Sequence, residues 1–203
     1  MALSTYSDLQ TAVANHLHRT DLTSVIPTFI QLAEHKIFGA LDSRKQDSVV
    51  SLTTIASQEY VALPDDFINF RTVACSETYQ TLKYQAPEQF AREFLSIDSG
   101  TPNNYTIVGD KMYLSPVPDA VYTLRCVYQA KVPTLSDSAT TNWLLTAYPA
   151  VYLYGSLCEA APYIKDNNQL PIWESLFQRS VESINAQDWS SMAAMQTKGD
   201  VTV

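Results

Sequence analysis

The sequence predicts an α+β protein in which helical segments at both ends of the chain flank a mostly antiparallel β segment. Three observations support this class. Apolar residues recur with helical spacing up to about residue 41 and again after about residue 142. Between about residues 47 and 133 they alternate, as in strands. The composition, with 46% hydrophobic and 17% charged residues, is that of a folded rather than a disordered chain.

The helices at the two ends can bury their apolar stripes most economically against one another. We therefore expect a four-helix bundle formed by the N- and C-terminal helix pairs, with a β lobe inserted between the pairs. The expected divisions are residues 1–46 and 136–186 for the helical bundle, 47–135 for the β lobe with one short helix, and 187–203 for a C-terminal tail.

The N-terminal pair begins after Thr5, because Asp8 lies three residues later and the two residues form a capping-box pattern. Leu9, Val13 and Leu17 then recur four apart on one helix face. A second helix is expected from about residue 24, with a proline in its first turn, where a missing N–H costs little. Its apolar stripe comprises Ile26, Phe29, Ile30, Ala33, Ile37 and Leu41.

The middle segment carries strand and turn patterns. The runs at 105–108 and 111–114 are joined by Gly109 and Asp110, a two-residue link that is typical of a tight hairpin. A second strand pattern of period two comprises Tyr122, Leu124, Cys126 and Tyr128. The remaining expected features are turns at 63–67 and 115–119 and a short helix at 87–95.

The C-terminal pair follows a polar stretch at 136–142. Its first helix, expected from Thr146 to Tyr163, is apolar on almost every face and therefore needs neighbours all round. Although Glu159 is the only charge in this run, its prolines and tyrosines favour a buried helix over a membrane span. The second helix is expected from Leu170 to Ala186. Its apolar stripe comprises Trp173, Leu176, Phe177, Val181 and Ile184.

The tail after Ala186 is polar but carries three large apolar residues, Trp189, Met192 and Met195, spaced three apart. Such a tail is either a frayed end or a segment that becomes ordered on a partner. Because Trp and Met are favoured at interfaces, these three residues are our candidate contacts with a partner protein. We expect the tail to be loosely structured in the free protein.

The charge balance and the cysteines exclude several classes of function. Lys and Arg number 13 against 21 Asp and Glu, so the formal charge is −8 and the chain is a poor candidate for wrapping nucleic acid. Cys75, Cys126 and Cys158 are far apart and form no Cys-x-x-Cys pair. A disulfide framework or zinc site is not expected, and the N-terminal residues lack a signal-peptide pattern.

The histidines do not form a metal-binding pattern. His16 and His18 are two apart, so on a helix they point to different sides. His35 has no second histidine three or four residues away. We interpret all three as surface or half-buried residues.

Asp65 and Asp66 are the one pair of adjacent carboxylates that could bind a metal. Their position between Pro64 and Phe67 favours a turn instead. No phosphate-binding glycine loop or nucleophile motif is present in the sequence. We therefore expect no catalytic residue, metal or cofactor.

Short motifs along most of the chain, from about Thr5 to Ala186, are similar to those of one family. They are PTFIQLAE (27–34), LPDDF (63–67), GTP (100–102), YTIVG (105–109), LSPVPD (114–119), YQAKVP (128–133), NWLL (142–145), YLYG (152–155) and EAAPY (159–163). In these motifs the chain resembles the head-to-tail adaptor, or connector, proteins of tailed bacteriophages.

The resemblance implies a structural virion protein in the neck between head and tail, assembled in the cytoplasm of the bacterial host. It implies a homo-oligomeric ring of about twelve copies that binds the portal protein on one side and a tail or nozzle protein on the other. DNA would pass through the enclosed channel without specific binding, and no membrane would be involved. An acidic protein suits such a channel, because it offers no phosphate contacts.

An alternative function is a small-molecule or glycan-binding module that uses the tyrosine-rich β lobe. Its binding surface would comprise Tyr105, Tyr113, Tyr122 and Tyr128. An enzyme is disfavoured, because the sequence shows no spacing typical of a nucleophile and base or of metal ligands. Mass in solution with and without a portal separates an adaptor from a binding module.

Overall fold

The computed structural model describes residues 3–93, 98–165 and 168–196, and of residues 93 and 187–196 it describes the backbone only. Helices and strands are both abundant, so the α+β class is confirmed. The helices are α1 (Tyr6–Leu17), α2 (Ile26–Ala40), α3 (Pro87–Glu93), α4 (Trp143–Ala147), α5 (Pro149–Ile164) and α6 (Leu170–Gln196). The strands are β1 (Asp47–Thr53), β2 (Tyr60–Ala62), β3 (Phe67–Cys75), β4 (Gln80–Thr81), β5 (Lys83–Tyr84), β6 (Ser99–Gly100), β7 (Asn104–Val108), β8 (Lys111–Ser115), β9 (Val117–Pro118) and β10 (Thr123–Ala130).

The chain divides into two compact units. The helical unit comprises residues 1–44 and 132–203, and its described part contains α1, α2, α4, α5 and α6. The strand unit comprises residues 45–131, and its described part contains the ten strands and α3. The strand unit is thus inserted in sequence between two parts of the helical unit.

The helix α1 begins as its sequence predicts. The Thr5 side chain accepts a hydrogen bond from the Asp8 N–H (3.2 Å), and the Asp8 carboxylate accepts one from the Thr5 N–H (3.1 Å). These bonds satisfy two backbone donors that a helix start would otherwise leave free. The helix ends at His18, whose left-handed backbone (φ 50°) lets its N–H bond back to the carbonyl oxygens of Ala14 and Asn15.

The helix α5 is the centre of the helical unit, where it packs against α1, α2, α4 and α6. Two neighbouring helices approach α5 closely at Gly155: a Cβ there would lie 3.3 Å from Ala33 of α2 and 3.3 Å from Phe177 of α6. Only a residue without a side chain fits this crossing without displacing its neighbours. The surrounding core includes Leu9, Val13, Ile26, Ile30, Ile37, Leu144, Leu145, Val151, Leu157, Val181 and Ile184.

The helix predicted from Thr146 to Tyr163 is wrong at its start, because the chain forms two helices there. α4 is capped by the Asn142 side chain, which accepts a hydrogen bond from the Leu145 N–H (2.8 Å). Tyr148 then leaves the helical region (φ −138°, ψ 61°), and α5 begins at Pro149. A proline favours the first turn of a new helix and disfavours a helical conformation in the residue before it.

The helix α6 differs from the prediction in its length and in its buried face. Its backbone continues through Gln196, ten residues beyond the predicted end at Ala186. Phe177, Val181 and Ile184 are buried as predicted. Trp173, which the stripe also placed in the core, is only partly buried and packs at the margin of the cluster.

The strand unit contains two four-stranded sheets and one two-stranded sheet. The strand orders are β1-β10-β3-β4, β2-β8-β7-β5 and β6-β9. Most pairs are antiparallel, whereas β5 with β7 and β6 with β9 are parallel. The buried side chains of this unit form a second core that comprises Val73, Cys75, Leu82, Tyr105, Met112, Leu114, Leu124 and Cys126.

The predicted hairpin is confirmed: β7 and β8 pair antiparallel around Gly109, whose φ of 63° suits a residue without a side chain. The alternation along β10 is confirmed, because Leu124, Cys126 and Tyr128 are buried. The turn predicted at 63–67 is present. The turn predicted at 115–119 instead includes β9, which follows a cis peptide bond between Ser115 and Pro116.

The short helix predicted at 87–95 is present as α3, which is described as far as Glu93. Its predicted last two residues lie outside the described residues.

Candidate functional site

The two adjacent carboxylates lie in the turn between β2 and β3. Asp66 has structural partners: its carboxylate accepts a hydrogen bond from the Tyr128 hydroxyl (3.0 Å), and its carbonyl oxygen accepts one from the Lys131 N–H (2.7 Å). Asp65 is exposed. The turn interpretation therefore accounts for the pair, and Asp66 fastens the turn to β10.

The three histidines do not form a common site: two lie at the end of α1 and one lies on α2. His16 is near the end of α1, where its Nδ1 lies 2.9 Å from the Ala12 carbonyl oxygen. His18 caps the same helix, and His35 is exposed on α2. Among the described residues, no group of three or more His, Cys, Asp or Glu side chains is arranged to hold a metal ion.

The three cysteines are free and buried. Burial raises the pKa of Cys126 to about 12 and that of Cys158 to about 11. A thiol is nucleophilic only as its thiolate, so at neutral pH these two side chains are inert, as structural cysteines are. They contribute to the cores as small apolar groups.

The four tyrosines of the alternative binding module do not come together on one face. Tyr105 is buried opposite Leu114, whereas Tyr113 lies opposite Thr106, one position along the same pair of strands. Neighbouring positions point to opposite faces of a sheet, so these two rings diverge.

The hydroxyl groups of the other two tyrosines have hydrogen-bond partners within the strand unit. The Tyr128 hydroxyl donates to Asp66, and the Tyr122 hydroxyl donates to Asp119 (2.6 Å) and accepts from Thr101 (3.0 Å). The Tyr128 ring stacks on Phe67, and Phe67 contacts Phe70, which lies edge-on against Tyr105, so Phe67 and Phe70 separate the two tyrosine rings within one aromatic cluster. The four tyrosines therefore do not form the single shared surface that the alternative requires.

The most prominent polar feature of the helical unit is the Glu34 network, which we define as Glu34, Tyr152 and Asn142 with their partners. The Glu34 carboxylate is 2% exposed and accepts hydrogen bonds from the Leu135 N–H (2.7 Å) and the Tyr152 hydroxyl. The Asn142 amide donates to the same hydroxyl (2.7 Å) and to the Pro133 carbonyl oxygen (2.7 Å). The network thus fastens the segment at 132–142 to α2 and α5.

Burial raises the pKa of Glu34, although the hydrogen bonds from Leu135 and Tyr152 oppose the rise. Burial likewise raises the pKa of Tyr152. Sequence reasoning missed this network. The usable observation was that Glu34 lies four residues after Ile30 and three before Ile37, on the apolar stripe of α2, where a charged residue needs buried partners.

A groove of about 420 Å³ lies beside the network, between α1, α2 and the segment at 134–137. Its lining includes Tyr6, Gln31, Glu34, Phe38 and Asp137. His35, Thr134 and Ser136 also line it, so its ionisable side chains are Glu34, His35 and Asp137 together with the Tyr6 phenol. The network beside it serves to position backbone.

The candidate partner contacts Trp189, Met192 and Met195 lie on the last turns of α6. The backbone there is helical, which corrects the expectation of a loose segment for residues 187–196. The side chains of these three residues, and all of residues 197–203, lie outside the described residues. On a helix, positions three apart are neighbours on one side, so the three positions share a side of α6.

No helix in the described ranges is both long and apolar enough to cross a membrane. In those ranges the ionisable groups singled out above serve helix caps, turns and buried networks.

Residues 4–198 match the family described as SU10 adaptor protein. The chain belongs to this family, so the resemblance stated above is confirmed. It is a bacteriophage structural adaptor protein, a component of the virion. Membership implies contacts with portal and tail proteins in general. A search of the curated proteins gave no match.

Proposed function

We propose that this protein forms the ring that connects the capsid portal to the tail and encloses the channel for DNA. The observation that carries the proposal is the match to the SU10 adaptor family over residues 4–198. A closed ring of about twelve copies is the form we infer, because closed cyclic assemblies are the usual solution for a connecting piece with repeated contacts.

The negative net charge of the chain supports the proposal that the ring encloses a channel for DNA. At −8 per copy, a ring of about twelve copies would carry roughly −96 before counterions. An acidic wall repels phosphates, so DNA would slide past rather than bind. Specific recognition of DNA is therefore not part of the proposal.

We assign the portal contact to the end of α6, through Trp189, Met192 and Met195. Large apolar and aromatic residues in a polar background are typical of the central contacts of an interface. Their helical backbone supports this assignment, because it presents the three positions on one side. A tail or nozzle protein would bind on the opposite side of the ring.

In this proposal α1, α2, α5 and α6 act as a four-helix bundle, with α4 as a short addition. The packing of α5 against the other three supports such a scaffold. The strand unit, residues 45–131, would serve as a second, more adaptable contact region, and neither unit would perform catalysis. The free cysteines suit assembly in the reducing cytoplasm of the bacterial host, before the protein takes its place in the neck.

Electron microscopy of heads with their necks, with the symmetry assigned, tests the proposal. Purified protein is added to portal-bearing heads that lack it, and we expect a ring beneath each portal. The same protein without a portal provides the comparison. A chain that stays a monomer in the presence of the portal and instead retains a small ligand would contradict the proposal and favour a binding module.

A further inference from the structure

The strand β1 is an open edge of its sheet. Residues Asp47–Thr53 pair with β10 on one side, and in the described part of the chain no strand pairs with their other side. An open edge presents unpaired backbone donors and acceptors to any strand that can lie beside it. With seven residues, β1 is longer than the other strands that end the sheets, which have two or three residues, and on the far side of the same sheet β4 pairs with β3 only at Ala74 and Cys75.

The hydrogen-bond pattern shows which β1 residues face outward. Thr54 follows β1 directly, and its N–H donates to the carbonyl oxygen of Tyr122 (2.9 Å), the residue just before β10. The backbone groups of Thr54 therefore point toward the β10 side. Because successive residues of a strand alternate, the backbone groups of Val49, Ser51 and Thr53 point away from β10. These groups are the ones that a neighbouring strand would use.

The β1 edge lacks the features that protect edges in soluble proteins. Residues 48–57 contain no charged residue, proline or glycine. Exposed apolar side chains lie in and beside this run: Val49 is 57% exposed, Ile55 59% and Val121 63%. An uncharged edge flanked by exposed apolar residues is the pattern of a contact surface rather than of a solvated strand.

We propose that the β1 edge is the surface through which one copy of this protein contacts the next copy in the ring. Net charge favours this occupant, because copies that each carry −8 repel one another least where the contacting strands, here the run at 48–57 and β4 (Gln80–Thr81), carry no charge. The sheet also ends on its other side, at β4, so β1 of one copy can extend the sheet of its neighbour head to tail.

This inference rests on the proposed ring, and it excludes pairing of β1 with β1. Two identical edges would form a closed dimer with twofold symmetry, and assembly would stop there. A ring requires that β1 meets a different surface of the next copy.

Replacement of Ser51 by proline tests the inference. Ser51 directs its N–H outward, so Ser51→Pro removes a donor from the open edge without removing a bond to β10. The matched control Ser51→Ala keeps the N–H. Both variants should fold, as judged by circular dichroism and thermal melting, but Ser51→Pro should assemble on portal-bearing heads at least tenfold more weakly, whereas Ser51→Ala should match the parent.

A second pair of variants tests whether the β1 edge contacts the next copy even if Ser51→Pro does not fold. Ile55→Asp places a charge beside the β1 edge, and Ile172→Asp places the same charge on α6 at a similarly exposed position, 54% against 59%. We expect Ile55→Asp to weaken ring assembly at least tenfold and Ile172→Asp to leave it unchanged. Native mass spectrometry of the released necks counts the copies.

The outcomes separate this inference from the proposed function. If the parent forms rings and the folded Ser51→Pro and Ile55→Asp variants form them equally well, the β1 inference is wrong while the ring stands. The same conclusion follows if Ile172→Asp is as defective as Ile55→Asp. If the parent itself binds heads without contacts between copies, or forms only dimers, the ring and the β1 contact are both wrong.

Discussion

Glu34 is a charged residue at a position where the spacing of α2 calls for an apolar one. Its carboxylate is buried, yet it accepts hydrogen bonds from the Leu135 N–H and the Tyr152 hydroxyl. A buried charge persists only where such partners replace water. Its role here is to hold a backbone segment that has no regular structure of its own.

Replacement of Glu34 by alanine should destabilise the protein by about 1–3 kcal/mol, because the Leu135 N–H and the Tyr152 hydroxyl lose a buried acceptor. Chemical denaturation measures the change in the free energy of unfolding. Glu182→Ala, at an exposed position of α6, is the control and should change this energy by less than about 0.5 kcal/mol. Equal changes in the free energy of unfolding for the two variants would contradict the structural role of Glu34.

The raised pKa of Glu34 gives a second prediction, for Glu34→Gln. Because the folded-state pKa lies above the unfolded value, the contribution of this carboxyl to stability is complete below the unfolded pKa and decreases as pH rises through the folded pKa. Glutamine does not ionise. The stability of Glu34→Gln relative to the parent should therefore increase from about pH 4 to about pH 7. Denaturation of both proteins at both pH values checks the direction of this change. A decrease in the relative stability of Glu34→Gln would show that the folded protein favours the charged carboxylate.

The two aromatic residues of α6 should differ in their contribution to stability. Phe177 is 1% exposed and lies against Gly155 in the core, so Phe177→Ala should cost about 3–5 kcal/mol. Trp173 is at the margin of the same cluster, and Trp173→Ala should cost clearly less. Thermal melting of both variants ranks them. The reverse order would place Trp173 in the core, as the spacing alone suggested.

At the scale of elements, the helices and strands that follow a simple period were predictable. The capping box before α1, the hairpin of β7 and β8 and the alternation of β10 each depend on residues near one another in sequence. The break between α4 and α5 was not predicted, because apolar residues recur on both sides of Tyr148 as they do within a single helix. Pro149 was the available indication, since it favours the first turn of a helix.

The crossing of α2, α5 and α6 gives a prediction at this scale. Gly155→Leu should destabilise the protein by about 1–3 kcal/mol or more, because a side chain there collides with Ala33 and Phe177. Gly39→Leu, in an exposed part of α2 with no neighbour within 4 Å of a Cβ, is the matched control and should be neutral or slightly stabilising. Equal melting temperatures for the two variants would show that the helices can separate at low cost.

At the scale of the whole molecule, sequence reasoning found the class of fold and the family but not the buried network. The class follows from periods that recur over many residues, so no single error changes it. The Glu34 network joins residues about 100 positions apart, such as Glu34 and Leu135, and spacing cannot reveal a contact of that range. The β1 edge was equally hidden, because a strand pattern does not show which strands end a sheet.

Truncation after Ala186 tests the assignment of the portal contact. The shortened chain keeps Asn185, whose side chain bonds to the backbone of Ala40 and Asp42, so it should fold with nearly the parental stability. It should fail to join portal-bearing heads, because it lacks Trp189, Met192 and Met195. Sedimentation with heads measures the binding. A truncated chain that joins as well as the parent would move the portal contact to another surface.

The burial of the three cysteines makes the protein suited to selective chemical labelling. A thiol introduced at an exposed position, for example by Ser175→Cys on α6, would be accessible, whereas Cys75, Cys126 and Cys158 are enclosed by their cores. A maleimide dye would then attach at one chosen point while all native residues except Ser175 are retained. Energy transfer between dyes on successive copies could follow the growth of the neck in real time.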